Sequence, residues 1–202
     1  MYNEISQLPL VQQSRQGKVR DIYDLGETLL IVSTDRISAF DIVFPTLIPD
    51  KGKILNAISV YFFNTTKDIV PNHFITANIS EYPVELQRFG EYLEERSMLV
   101  KKTRVIPFEC IVRGYISGSA WKEYKKSNTI GGMLIAEEMQ ESQKFPHPLF
   151  TPSTKAEKGH DENISYREFM SRMDEPLAVY IKDKSLELYS YAHDLLLKKG
   201  II

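Results

Sequence analysis

The chain has 202 residues, 43% of them apolar, which suffices for one large domain or two small lobes around an ordinary buried core. Its 25 basic and 27 acidic residues nearly cancel, so no overall field draws nucleic acid or an anionic membrane, and any anion site must be local. No apolar run approaches the roughly 20 residues of a membrane span, the N-terminus lacks the basic start and apolar run of a secretory signal, and a lone cysteine, Cys110, excludes an internal disulfide or a multi-cysteine zinc site; a soluble, cytoplasmic chain is expected.

In chain order, "GKVRDIYDLGETLLIVSTDR" reads as an antiparallel hairpin, with Val19, Ile22 and Tyr23 before Gly26 and Leu29 to Val32 after it. Ile54, Leu55, Ile58, Tyr61 and Phe62 recur at helical spacing and predict a packed helix. "HFITANIS" and "RSMLVKKTRVIPFECIVRGYI" read as strands, with a short helix near residues 83–88 between them. Cys110 falls in the second of these, which suggests a buried, inert thiol. "SGSAWKEYKKSN" predicts a short helix that opens on serines and is ended by the glycines of "TIGG". Residues 129–163 read mostly as loop, of a length that is usually functional or disordered. Ser165 and Glu168 form an S-x-x-E capping box, after which helices are expected to residue 199, with Leu177, Ile181, Leu188, Ala192 and Leu195 as a core stripe and Gly200 as the stop. The closing "II" reads as the first residues of a strand whose remainder is absent.

Four constellations bear on chemistry. In "QGKVRD", Lys18 and Arg20 stand two apart, so on a strand both cations point to one face, toward an anion such as a triphosphate; solvated surface charge is the alternative. "TDRISAFD" places Asp35, Arg36, Ser38 and Asp41 just after an apolar strand, as a site or as a turn with paired charges. "VRGYISGSAW" sets Arg113 on a strand and Gly118 and Ser119 at a helix start, a combination of guanidinium, hydroxyl and backbone N–H groups that suits a phosphate monoester. "FTPSTKAEKGHDENIS" gathers four hydroxyls, Lys155, His160, Asp161 and Glu162. Lys155 suits a phosphoryl group, and the two carboxylates suit an amine or a metal held through water. His160 has no second histidine or cysteine at ligand spacing, so zinc is not expected.

Together "GKVRDIYDLG", "TDRISAFD", "PFECIVRGYISGSAWKEY" and "FTPSTKAEKGHDENIS", in that order and spacing, resemble the phosphoribosylaminoimidazole-succinocarboxamide synthase (SAICAR synthetase) family, from about residue 17 to the last residue. The resemblance implies an α+β, two-lobed, kinase-like fold. It has an antiparallel N-terminal lobe with one helix over residues 1–105 and an α/β C-terminal lobe over residues 106–202 that lacks its last strands. The implied reaction is ATP-dependent and uses Mg2+: carboxyaminoimidazole ribonucleotide is joined to L-aspartate through an acyl phosphate, with release of ADP and phosphate, in de novo purine biosynthesis. By resemblance Lys18 and Arg20 line the ATP phosphates, Lys102 to Val105 border the adenine, and Glu109 faces the nucleotide cleft. Ser38 and Asp41 lie beside the imidazole, Arg113 and Ser119 contact the ribonucleotide, and Lys155 and Asp161 serve the transferring phosphate and the incoming aspartate. No nucleic-acid or membrane partner is implied, and self-association is left open.

The family pattern continues past "KKGII" into D-x-K-x-E-F-G and D-E-x-x-T-P-D-S-S-R, which supply further substrate contacts and the acidic magnesium ligands; this sequence stops before them. No metal ligand is therefore assigned. Two further readings follow, a non-catalytic nucleotide-binding remnant of that enzyme and a small-molecule kinase that phosphorylates a hydroxyl without aspartate.

Overall fold

The computed structural model describes residues 12–40, 42–155 and 162–201. The chain divides into two compact units, Met1–Arg104 and Val105–Ile202.

The first unit is a five-stranded antiparallel sheet in the order β1-β2-β3-β7-β6. Its strands are β1 (Gln12–Gln16), β2 (Arg20–Asp24), β3 (Thr28–Ser33), β6 (Phe74–Thr76) and β7 (Ser97–Lys101), while β4 (Ser38–Ala39) and β5 (Ile42–Val43) form a separate pair. The expected hairpin is β2–β3, in register from Arg20 opposite Ser33 to Asp24 opposite Leu29. Alternation along β3 sends Leu30 and Val32 into a core completed by Tyr23, Tyr82, Leu86, Leu93 and Leu99. Leu86 and Leu93 come from the short helices α2 (Val84–Gln87) and α3 (Gly90–Leu93), and Tyr82 stands two residues before α2. The buried Ser97 hydroxyl is satisfied by Leu93 O at 2.7 Å and the Tyr82 hydroxyl at 3.0 Å, so the polar group costs the core little.

Helix α1 (Lys51–Thr65) forms where periodicity predicts it, but it packs through a different face. Its buried residues are Gly52 and Asn56, while Ile54, Leu55, Ile58 and Tyr61 are exposed. The reason is close approach: a Cβ on Gly52 lies 2.3 Å from Ser33 O, and Asn56 Nδ2 donates to Glu95 O at 2.9 Å and Ser97 O at 3.2 Å. A small residue and an amide serve this contact, and neither registers in an apolar pattern.

Asp35 ties the end of β3 to α1. Its Oδ1 accepts the Gly52 N–H at 2.8 Å and pairs with Arg96 at 3.2 Å. Burial pushes the Asp35 carboxyl up, but the N–H groups of Gly52 and Asp50 together with Arg96 pull it below its ordinary value. A depressed folded pKa stabilises at pH above the unfolded value of about 3.9 and is lost as pH falls through the folded value. Asp35→Asn is accordingly expected to cost about 1–2 kcal/mol at pH 7 and to flatten the loss of stability below about pH 4, as read from urea melts at pH 7 and pH 3.

The second unit builds from two-stranded antiparallel pairs and helices: β8 (Phe108–Glu109) with β13 (Ser153–Thr154), β9 (Val112–Tyr115) with β12 (Lys144–Phe150), and β10 (Thr129–Ile130) with β11 (Met133–Leu134). The single long strand expected around Cys110 is interrupted there, and Cys110 is exposed rather than buried. Helix α4 (Gly118–Ser127) is stopped by Asn128, at φ 53°, and not by "TIGG", whose glycines make the β10–β11 turn. The stretch expected as loop holds seven-residue β12, masked in the sequence by Pro146 and Pro148.

Ser165 accepts the Glu168 N–H at 3.2 Å and caps α5 (Tyr166–Ser171), worth about 1 kcal/mol. The box is half-made, because the Glu168 carboxylate pairs forward with Arg172. Helix α6 (Glu175–Leu197) buries Ala178 fully; Ile181, Leu188, Ala192 and Leu195 are half-buried and Leu177 is exposed. It ends in a Schellman motif, with Ile201 N–H on Leu196 O at 3.1 Å and Gly200 N–H on Leu197 O at 3.0 Å, Gly200 having φ 75°. Ile202 lies outside the described residues, and with it half of the "II" that suggested a further strand.

Candidate functional site

Arg113 projects from β9, and its guanidinium joins two elements. Nε donates to Thr151 Oγ1 at 3.1 Å and Nη2 to Ser119 Oγ at 2.9 Å. Ser119 stands in the first turn of α4, and Thr151 follows β12 directly, buried and with its N–H on Ile111 O at 2.8 Å. Ser117 occupies the N-cap position yet makes no side-chain cap, so its hydroxyl does not satisfy the first N–H groups of α4. Burial pushes the Arg113 guanidinium down from its usual value and Glu123 opposes this, but an arginine keeps its proton. Among the described residues no carboxylate forms an ion pair with it. The result is a half-buried cation whose partners are neutral hydroxyls, beside a helix start: a charge balance that an anion completes.

The structure also pairs two residues that the sequence analysis assigned separately, Lys155 and Glu109. Lys155 Nζ lies 3.0 Å from Glu109 Oε1, because the β8–β13 ladder sets Ser153 opposite Glu109 and Lys155 N–H reaches Pro107 O at 3.2 Å. Both side chains are close to half exposed, so the pair is soft and exchangeable.

In the first unit, Lys18 and Arg20 do not share a strand face as expected. Lys18 lies in the bend between β1 and β2, and Arg20 is the first residue of β2. A tight turn closes between them with Gly17 N–H on Arg20 O at 2.7 Å, and both cations are exposed. Lys102 sits at the other end of β2, where it meets Asp24 at 2.6 Å and, with the Gly26 N–H, holds that carboxylate below its ordinary pKa. Ser38 is half-buried on β4. Asp41, His160 and Asp161 lie outside the described residues.

Three of the four hydroxyls of "FTPST…IS" have protein partners. Thr151 takes Arg113, Thr154 Oγ1 accepts the Glu162 N–H at 3.2 Å, Ser165 caps α5, and Ser153 is buried in the ladder. Those three hydroxyls are engaged within the protein, and residues 156–161 of the stretch lie outside the described residues. Thr151 and Arg36 went unassigned in the sequence: Thr151 was one hydroxyl among four, and Arg36 reads as half of a local charge pair while its partners are 15 to 19 residues away.

Residues 13–202 match the family described as SAICAR synthetase. The chain belongs to the SAICAR synthetase family. It is 54% identical over 192 residues to phosphoribosylaminoimidazole-succinocarboxamide synthase of Thermodesulfovibrio yellowstonii, covering 95% of this chain and 66% of the relative. It is 52% identical to the synthase of Elusimicrobium minutum, covering 100% and 69%. Among solved structures, SAICAR-synthase from Saccharomyces cerevisiae complexed with SAICAR superposes with a TM-score of 0.86 at 40% identity, over 95% of this chain and 65% of that one. The chain spans about two thirds of the length of these SAICAR synthetases, and its fold is the α+β fold of that family.

Proposed function

We propose that the chain acts in the ATP-dependent ligation of carboxyaminoimidazole ribonucleotide to L-aspartate, yielding SAICAR, ADP and phosphate in the cytoplasm. The observation that carries this reading is Arg113, a half-buried cation held by Ser119 and Thr151 with no carboxylate partner among the described residues. Such a site suits the 5′-phosphate of a ribonucleotide, with the first turn of α4 supplying further donors. Membership of the SAICAR synthetase family supports the substrate assignment. No helix among the described residues is long and apolar enough to cross a membrane.

An unactivated carboxylate has a poor leaving group, so amide formation requires its oxygen to become one. In the proposed sequence the imidazole carboxylate attacks the γ-phosphorus, ADP departs, and an acyl phosphate forms. The aspartate amine then attacks the acyl carbon, inorganic phosphate leaves, and the amine loses a proton. Lys18 and Arg20, exposed on their turn, fit the nucleotide phosphates. Lys155 balances charge on the transferring phosphoryl group, exchanging its half-exposed pair with Glu109 for that group. Lys102 borders the adenine, Ser38 and Asp41 lie beside the imidazole, and Asp161 orients the amine. Among the described residues no group of three or more His, Cys, Asp or Glu side chains is arranged to hold a metal ion.

The test is ADP release by the purified chain with ATP, magnesium and carboxyaminoimidazole ribonucleotide, with and without L-aspartate. Aspartate-dependent release is expected. Nucleotide binding without release, by a folded chain, replaces the ligase with a nucleotide-binding remnant; release onto a hydroxyl acceptor replaces it with a kinase.

A further inference from the structure

The Gly17–Arg20 turn is held from one side by residues that lie beyond β3. Arg36 Nη2 donates to Gly17 O at 3.1 Å and Nε to Lys18 O at 3.1 Å. Thr34 donates twice to Val19 O, through its N–H at 3.1 Å and its hydroxyl at 2.9 Å. Three consecutive carbonyls of the turn are thus anchored to the "TDR" segment. The guanidinium is itself fixed, because Asp21 takes Nη1 at 3.1 Å and Nη2 at 2.6 Å in a fork-to-fork pair, and the Arg36 N–H closes back on Thr34 Oγ1 at 3.3 Å. Both Arg36 and Asp21 are largely withdrawn from solvent, with side-chain exposures of 20% and 14%. The turn leaves no space for a side chain at Gly17, where an added Cβ would stand 2.8 Å from Arg20 O.

A lysine in place of Arg36 cannot reproduce this arrangement. The contacts diverge from a planar fork, toward a carboxylate on one side and two carbonyls on another, and an ammonium offers a point charge on a flexible stem. The charge of Arg36 is moreover neutralised by Asp21, so its field adds little to an anion site, whereas its geometry determines the path of the backbone that carries Lys18 and Arg20.

We infer that Arg36 is a positioning residue: it clamps the Gly17–Arg20 turn so that Lys18 and Arg20 present their charges together to the nucleotide phosphates. This rests on the assignment of Lys18 and Arg20 to those phosphates in the proposed ligase. It adds a residue whose effect on phosphate recognition is exerted through the turn backbone.

Arg36→Lys and Asp21→Asn test it. Affinities for ATP and for adenosine are measured by titration calorimetry, and amide hydrogen exchange is followed at Lys18, Val19 and Arg20, with circular dichroism as the check on folding. Arg36→Lys is expected to weaken ATP about tenfold, to leave adenosine unchanged, and to accelerate exchange in the turn. Asp21→Asn keeps the shape of the pair and loses its charge, and is expected to show the same pattern to a smaller degree; it carries the test where Arg36→Lys does not fold. Unchanged ATP affinity in a folded variant, or an equal loss for ATP and adenosine, overturns the positioning role. Should the unsubstituted chain bind no ATP, the ligase reading fails, and the clamp is decided by exchange alone: faster exchange in Arg36→Lys upholds it, and unaltered exchange refutes it.

Discussion

Gly52→Ala is expected to destabilise the first unit by about 3 kcal/mol. Alanine is the better helix former by about 1 kcal/mol, so an exposed glycine in α1 would gain from the change. At Gly52 the opposite holds, because the added Cβ meets Ser33 O at 2.3 Å and Ser33 C at 2.9 Å, and both are backbone atoms in a sheet ladder. Relief requires α1 to lift from β3. That movement also stretches the Gly52 N–H bond to Asp35 at 2.8 Å and shifts Asn56 from the two carbonyls it serves. Urea melts of Gly52→Ala beside Ala57→Gly, an exposed site on the same helix, separate packing from propensity: Ala57→Gly is expected to cost about 1 kcal/mol. Equal or raised stability in Gly52→Ala would mean that α1 does not approach β3 this closely.

Arg113→Met is expected to weaken binding of carboxyaminoimidazole ribonucleotide about a hundredfold, or about 2.7 kcal/mol, the upper range for bonds to a charged group. Methionine retains much of the apolar stem and removes the fork. The loss is expected to fall on the phosphate, so the corresponding nucleoside should bind variant and unsubstituted chain alike in calorimetry. Thr151→Val removes the acceptor at 3.1 Å from Nε while keeping the charge, and a smaller loss of about fivefold is expected from one hydrogen bond to a neutral acceptor. An Arg113→Met chain that loses nucleoside and nucleotide equally would place the guanidinium away from the phosphate.

Local patterns carried much of this architecture. The β2–β3 hairpin was legible because alternation and a glycine turn coincide, and Arg113 with Ser119 because a strand running into a serine-rich helix start brings both within reach of one anion. The features that no local pattern shows depend on distant partners or on masked signals. The buried face of α1 leaves no apolar signal because its closest contacts are made by a glycine and an asparagine. Strand β12 reads as loop because two of its seven residues are prolines, and the strand around Cys110 breaks at residues 110 and 111, which separate β8 from β9. Lys18 and Arg20 sit on a turn because Thr34 and Arg36, 15 to 19 residues along the chain from the carbonyls they hold, anchor it.

The prolines of β12 have a consequence for solubility. Among the described residues the strands of the second unit pair in twos, β13 also bridging Asn163, and β12 has no strand on the side away from β9. In β12, the longest of them, Pro146 and Pro148 remove two donors from the same side of the backbone and fall within the register shift against β9, between Lys144 and Leu149. A stretch with missing donors and interrupted register is a poor template for intermolecular pairing. The residues that hid the strand from its sequence pattern also guard it against aggregation.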